Sequence, residues 1–157
     1  MRVLIVVVGR VRGALEEVVA EYEGRARRYW KLGVTEVSAG VKGTGGAPRE
    51  RVLEVEAERV LAQIPAELDV VALTRVGGEM GSRELATYLE ELGTRSAPGV
   101  AFAIGGAFGL GGAVLARAQR TLSLSALTLP HEMARLVLAE QLYRAGTIVR
   151  GEPYHKG

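Results

Sequence analysis

Cysteine is missing from all 157 residues, and so is asparagine; histidine occurs twice and aspartate once, at Asp69. Without cysteine there can be no disulfide, no thiolate nucleophile and no cysteine-ligated zinc. His131 and His155 would need carboxylates to complete a metal site, and no H-E-x-x-H spacing occurs, so no metal is expected. Lysine is scarce, at positions 31, 42 and 156, and arginine supplies the remaining basic charge. Arginine presents a planar fork to phosphate, which suits a nucleic-acid partner, although a net charge of +2 does not demand one. The scarcity of deamidation-prone residues fits a heat-loving source. A convincing membrane span is also lacking. The uncharged stretch 96–116 carries six glycines and one proline, each costly inside a helix. The opening MRVLIVVVGR is too short for a signal-peptide core and has no small-residue cleavage site. A cytoplasmic protein without a membrane partner is expected.

What is present is ordinary for one globular domain spanning 1–157: 48% apolar and 24% charged residues, long enough to bury a core. RVLIVVV (2–8) is a continuous β-branched run, the mark of a strand covered on both faces. Leu15, Val18, Val19, Tyr22, Ala26 and Tyr29 recur at helical spacing, which predicts a helix to about Lys31, stopped by Gly33. VTEVSAGV (34–41) reads as a second strand and KGTGGAP (42–48) as a loop. Pro48 then opens a second helix, and LDVVALT (68–74) is a third strand. Ser82 is placed to cap a helix carrying Leu85, Tyr88, Leu89 and Leu92. VAFAI (100–104) is a fourth strand, followed by a glycine turn and a short helix around 113–119; TLSLS (121–125) is a fifth. Pro130 begins HEMARLVLAEQLYRA, apolar nearly all round and therefore expected to be buried, against another subunit if not within its own chain. The alternation predicts an α/β fold, a mostly parallel sheet with helices on both faces. Ligands of such sheets sit beyond the carboxyl ends of the strands, so 9–13, 74–82, 105–112 and 125–130 are the loops of interest.

The motifs taken singly decide little. GRVRG after the first strand lacks the middle glycine of a dinucleotide fingerprint, KGTGGAP lacks a P-loop ending, and no serine sits in a G-x-S-x-G elbow. The paired Gly105 and Gly106 serve either a sharp turn or the close approach of a flat ligand. LSLSALTLPH (122–131) could offer apolar walls and main-chain groups to a purine, or be a plain connection. His131 can pack at a helix start or act in chemistry. Arg144 follows Glu140 by one helical turn, an ion pair in the favourable orientation. Arg25, Arg27, Arg28 and Lys31 suit the end of the first helix as a solvated face or as an RNA footprint. The last residues, GEPYHKG (151–157), place a scarce histidine where chains usually fray.

FAIGGAFGL followed by LSLSALTLPHEMARLVLAEQLYRAGTIVRGEPYHKG resembles the RlmH (YbeA-like) family of SPOUT-class RNA methyltransferases, densely over 100–157 and more loosely over the first 99 residues. The resemblance implies a C-terminal trefoil knot, a homodimer, and S-adenosylmethionine (S-adenosyl-L-methionine) as methyl donor. It implies methylation at N3 of pseudouridine-1915 in 23S ribosomal RNA, on the ribosome. Position by position, it assigns cofactor binding to Leu73, Gly105, Gly106, Ser125, Ala126, Leu127, Thr128, Leu129 and Pro130. Thr74 and Gly77-Gly78 depart from the family's usual Asp and Gly-Lys. For the reaction, the resemblance and the chemistry of the tail together single out Arg144, Tyr154 and His155. Tyr154 can stack on the base, Arg144 can face its carbonyls or a phosphate, and His155 can take the proton or position the base. Lys156 offers a phosphate contact. Rival readings are a non-catalytic RNA- or ribosome-binding module of the same fold and a flavodoxin-like nucleotide binder.

Overall fold

The computed structural model describes residues 1–42 and 46–156; 43–45 of the expected loop and Gly157 of the tail lie outside the described residues. Five strands form one sheet: β1 (Arg2–Val8), β2 (Lys31–Val37), β3 (Asp69–Leu73), β4 (Gly99–Ile104) and β5 (Arg120–Leu122). Their order is β2-β1-β4-β3-β5, and every pairing is parallel. β1 and β4 are central and covered on both sides, so residues 3–8 and 99–104 are all buried. That is why both read as unbroken apolar runs.

Side chains of β1 alternate between two cores. Val3, Ile5 and Val7 meet Phe102, Leu89, Leu138 and Leu142 on the face carrying α1 (Leu15–Ala26), α3 (Ser82–Thr94) and α5 (His131–Val149). Leu4, Val6 and Val8 meet Ala57, Val60 and Val114 on the face carrying α2 (Arg49–Leu61) and α4 (Gly112–Arg117). α5 lies between α1 and α3 and reaches β1 and β4, which buries eight of its nineteen residues; Leu136 and Val137 are only half-buried and Met133 is exposed, so its own chain covers one side of this apolar helix. Each fully buried Leu, Ile, Val or Phe contributes about 1.5–3 kcal/mol.

Three boundaries differ from expectation. α1 ends at Ala26, and β2 already starts at Lys31, with Gly33 inside it opposite Leu4. The reason is non-local: β2 takes its length from β1, pairing from Arg2–Lys31 to Val8–Val37. Trp30 donates its indole N–H to the Leu142 carbonyl at 2.8 Å, fixing the turn between them. Ser82 is the first residue of α3, and Gly81 precedes it in the capping position. The Ser82 hydroxyl instead bonds Gln141 Oε1 at 2.6 Å, while Glu84 accepts the Gly81 N–H at 3.2 Å. β5 stops at Leu122, because Ser123 turns to bond the loop after β3.

β5 is an edge strand, yet the helix that follows it lies under β1 and β4, inside α3. The return segment 123–130 therefore crosses the β3–α3 connection, 74–81. Ser123 N–H bonds the Gly78 carbonyl at 2.8 Å and its hydroxyl bonds the Arg75 carbonyl at 3.0 Å. The Arg75 guanidinium donates to Thr128 Oγ1 at 3.2 Å. A Cβ on Gly77 would stand 3.0 Å from Leu122 N and Thr121 Cβ, so this loop lies tight against β5 just before the crossing. Crossed connections are rare, and a knot of the expected kind would be threaded here.

Candidate active site

β4, β3 and β5 are neighbours, so their carboxyl ends form one rim that carries Leu73, Gly105, Gly106 and residues 125–130. A Cβ on Gly105 would stand 2.8 Å from Leu110 N, and Gly109 has φ +82°, so the tight turn 105–110 accounts for that glycine. A Cβ on Gly106 would press on Val8 Cγ1 at 3.0 Å. Leu73, Ser125 and Leu129 are half-buried, whereas Ala126, Leu127, Thr128 and Pro130 are exposed, Leu127 at 75%. Ser125 Oγ accepts the Leu127 N–H at 2.9 Å. The main-chain N–H groups of Leu124, Ser125, Ala126, Thr128 and Leu129 have no partner among the described residues. Unused donors between apolar walls suit the ring edges of a nucleobase-bearing cofactor.

The tail is ordered. Gly151, at φ +68°, reverses the chain after α5, and Pro153–His155 form one 3-10 turn packed back on that helix. The Tyr154 hydroxyl donates to Glu140 Oε2 at 3.0 Å, and Arg144 pairs with the same oxygen at 2.9 Å. The Arg144 guanidinium lies 4.9 Å from the Tyr154 ring centroid, and the Tyr143 ring 4.5 Å away. Burial first, then the hydrogen bond and charge of Glu140, push the Tyr154 phenol up to about 12. His155 Nδ1 is buried without a hydrogen-bond partner among the described residues. Glu152 anchors the segment, accepting the Tyr29 hydroxyl at 2.7 Å.

Arg144, Tyr154 and His155 thus come together, and so do the rim residues, but the two sets do not meet within one chain. Glu140 and Arg144 lie about 15 and 21 Å of helix axis beyond Pro130. His131 takes the packing role: its Nε2 is 3.1 Å from the Arg10 carbonyl, and Gly9 is the residue that leaves room for the ring.

Three features escaped the sequence. Glu140 binds Tyr154 as well as Arg144, a contact that only the reversal at Gly151 creates. A groove of about 490 Å³ lies at the other end of the rim, lined by Gly9, Arg10, Arg12 and Glu36–Ala39, away from the cofactor positions. Arg135, 7% exposed, holds Glu23 through two bonds of 2.7 and 3.2 Å and Glu36 at 2.6 Å. Charged residues on inward helical positions were the available signal for that cluster. Among the described residues no group of three or more His, Cys, Asp or Glu could hold a metal, and no helix is long and apolar enough to cross a membrane.

Comparison with known proteins adds to the geometry. The family model "Predicted SPOUT methyltransferase" matches residues 1–155. A relative from Gemmatimonas aurantiaca, named ribosomal RNA large subunit methyltransferase H, is 54% identical over 99% of this chain and 100% of its own. Relatives of the same name from Syntrophotalea carbinolica and Listeria monocytogenes are 43% and 42% identical, with 99% of this chain and at least 99% of each relative covered. A crystal structure of a probable methyltransferase from Bordetella pertussis Tohama I shares the fold, with a TM-score of 0.53 at 19% identity over 92% of this chain and 95% of that one.

Proposed function

Because the chain belongs to the SPOUT methyltransferase family, we propose that it methylates large-subunit ribosomal RNA, using S-adenosylmethionine and acting at N3 of a pseudouridine. The names of its full-length relatives support the RNA class. The observation that carries the reading is the rim: main-chain donors of 124–126, 128 and 129, free among the described residues, beside Leu73 and Leu129, at the carboxyl end of a parallel sheet. These residues fit the adenosine part of the donor, with the N–H groups reading ring edges and the leucines covering its faces. When bound, S-adenosylmethionine supplies a sulfonium methyl that is electrophilic without further activation.

What remains for the protein is to hold the base, remove the N3 proton and stabilise the charge that grows on its carbonyls. Arg144 provides the positive charge. Tyr154, kept a neutral phenol by its raised pKa, offers a ring face, while its hydroxyl, donating to Glu140, holds the ring in place. His155 takes the proton or positions the base. One chain's tail stands a helix length from its own rim, so in this reading a second copy supplies the tail. The protein then works as a knotted homodimer in the cytoplasm, on ribosomes.

The test is radiolabelled methyl transfer to free rRNA, isolated large subunits and whole ribosomes from a methylation-deficient strain, with the modified nucleoside identified by mass spectrometry. Deleting 152–157 is expected to abolish transfer and leave calorimetric donor affinity within about twofold. Full methylation by the truncated protein would refute the role of the tail. Ribosome binding without any donor uptake would favour the non-catalytic module.

A further inference from the structure

GRVRG (9–13) belongs neither to the cofactor segments nor to the tail, and it builds one wall of the groove at the β1–β2 end of the rim. Gly9, at φ +100°, turns the chain out of β1, and its N–H closes the sheet on the Val37 carbonyl at 2.9 Å. The first turn of α5 then holds the loop. His131 Nε2 lies 3.1 Å from the Arg10 carbonyl, and Glu132 Oε2 accepts the Arg12 N–H at 3.0 Å. The facing wall, 38–40, is held from α2: Glu56 accepts the Gly40 N–H at 2.7 Å, and Arg59 donates to the Ser38 and Gly40 carbonyls at 2.8 and 2.6 Å. Both walls are thus fixed from behind by residues that do not line the groove.

The charges that face it are unspent. Arg10 and Arg12 are exposed, and neither guanidinium has a hydrogen-bond or carboxylate partner among the described residues. Glu36 and Glu23 are both held by Arg135. Of the carboxylates lining the groove and the adjoining cavity of about 190 Å³, only Glu16 is left without a partner among the described residues. Free cations therefore outnumber free carboxylates there. β4 stands next to β1, so the turn 105–110 with its cofactor glycines is the next feature along the rim. That turn displays Phe108, 44% exposed, whereas the chain's other phenylalanine, Phe102, is fully buried. Arg49, at the start of α2, sets its guanidinium 5.6 Å from the Phe108 ring centroid. Phe108 and the 38–40 wall are both seated on α2, across the sheet from the face of α1 and α5.

We propose that an unpaired strand of the substrate RNA runs along this end of the sheet. One nucleotide sits in the groove with its phosphate on Arg10 and Arg12, and a neighbouring base stacks on Phe108, so the target reaches the donor from the β1 side. This rests on the rRNA reading above. A volume of about 490 Å³ falls among the roughly 300–1,000 Å³ of small-ligand pockets, which leaves room for a nucleotide. The exposed lip of Arg10, Arg12, Ser38 and Ala39 leaves the groove open, as a polymer passing through it requires. Guanidinium forks match phosphate oxygens, and cations interleaved with an aromatic face hold single strands without sequence readout. The groove, the ring and the cofactor positions follow one another in strand order.

Arg10→Gln/Arg12→Gln tests this, since the main-chain contacts that hold the loop remain. Binding to large subunits and whole ribosomes is measured across salt concentrations, beside donor calorimetry and dimer mass by light scattering. The slope of log affinity against log salt should flatten by about 1.4–1.8 for two lost phosphate contacts, with donor affinity within about twofold of wild type. Arg10→Lys/Arg12→Lys keeps the charges and should keep the slope. Phe108→Leu should weaken ribosome binding at least about fivefold, and Phe108→Tyr should restore it. An unchanged slope in the glutamine variant, or unchanged affinity in Phe108→Leu, would overturn this path for the strand. So would a change in dimer mass with RNA affinity unaltered, since the groove would then receive the second copy. Wild-type protein that binds ribosomes with this salt dependence but transfers no methyl group would sink the proposed reaction and leave the RNA path standing.

Discussion

Arg135→Met isolates the most consequential buried charge in the protein. Arg135 and Glu23 are 7% and 5% exposed, joined by two hydrogen bonds between the first and last long helices. Burial alone lowers the guanidinium pKa, but its bonds to Glu23 and Glu36 outweigh that and raise it. Methionine fills similar volume and leaves Glu23 ionised with no partner. Breaking a buried pair from one side costs about 3–5 kcal/mol. For a chain of this length that is a fall in Tm of roughly 6–20 °C. Glu36, whose side chain is 34% exposed, stays solvated and adds little. Glu23→Leu/Arg135→Met removes both charges and should return to within about 1–2 kcal/mol of wild type. The deficit of the single variant should also depend on pH. A stranded buried carboxylate has a folded-state pKa above its unfolded value, so protonation relieves it. The deficit is therefore full near neutral pH and shrinks as pH falls through that raised pKa. Urea unfolding of all three proteins at several pH values measures this. A double variant as unstable as the single one, or a deficit flat with pH, would show that lost packing between α1 and α5, not stranded charge, was the cause.

Two further outcomes follow from particular contacts. Gly146→Ala should destabilise by about 1–3 kcal/mol in thermal unfolding, against the roughly 1 kcal/mol that helix propensity would add, because the new Cβ would stand 2.6 Å from Tyr29 Cβ; a rise in Tm would refute the contact. Glu140→Gln should bring the Tyr154 phenol down from about 12 toward its ordinary value, since the carboxylate's hydrogen bond and charge both raise it. Ultraviolet titration of tyrosinate absorbance reads this, and an unmoved titration would mean that burial alone holds the phenol.

The loops of the carboxyl-end rim were legible in the sequence because they follow from the alternation of strands and helices and from loop composition, whereas the adjacency of β4, β3 and β5 that joins them was not. Leu73, Gly105 and Gly106 stand at strand ends that a run of apolar residues announces, and the 125–130 segment follows the last of them. The ion pair of Glu140 and Arg144 was legible too, being one helical turn apart. The start of β2 was not, and Gly33 looked like a stop, because the strand's extent comes from pairing with β1 and not from its own residues.

By itself the amino-acid sequence determined the alternating strands and helices, the burial of 2–8 on both faces, and the family to which the chain belongs. Periodicity and turn chemistry act over a few residues, so a reader can see them. The tertiary structure alone decided which distant groups touch. Arg135 reaches Glu23 across 112 positions, and Glu152 reaches Tyr29 across 123. Such contacts exist because α5 is carried back from the edge strand to lie beside α1, and the chain then reverses at Gly151. No local preference encodes that return; it is the route by which the last helix buries the side that carries Leu138 and Leu142.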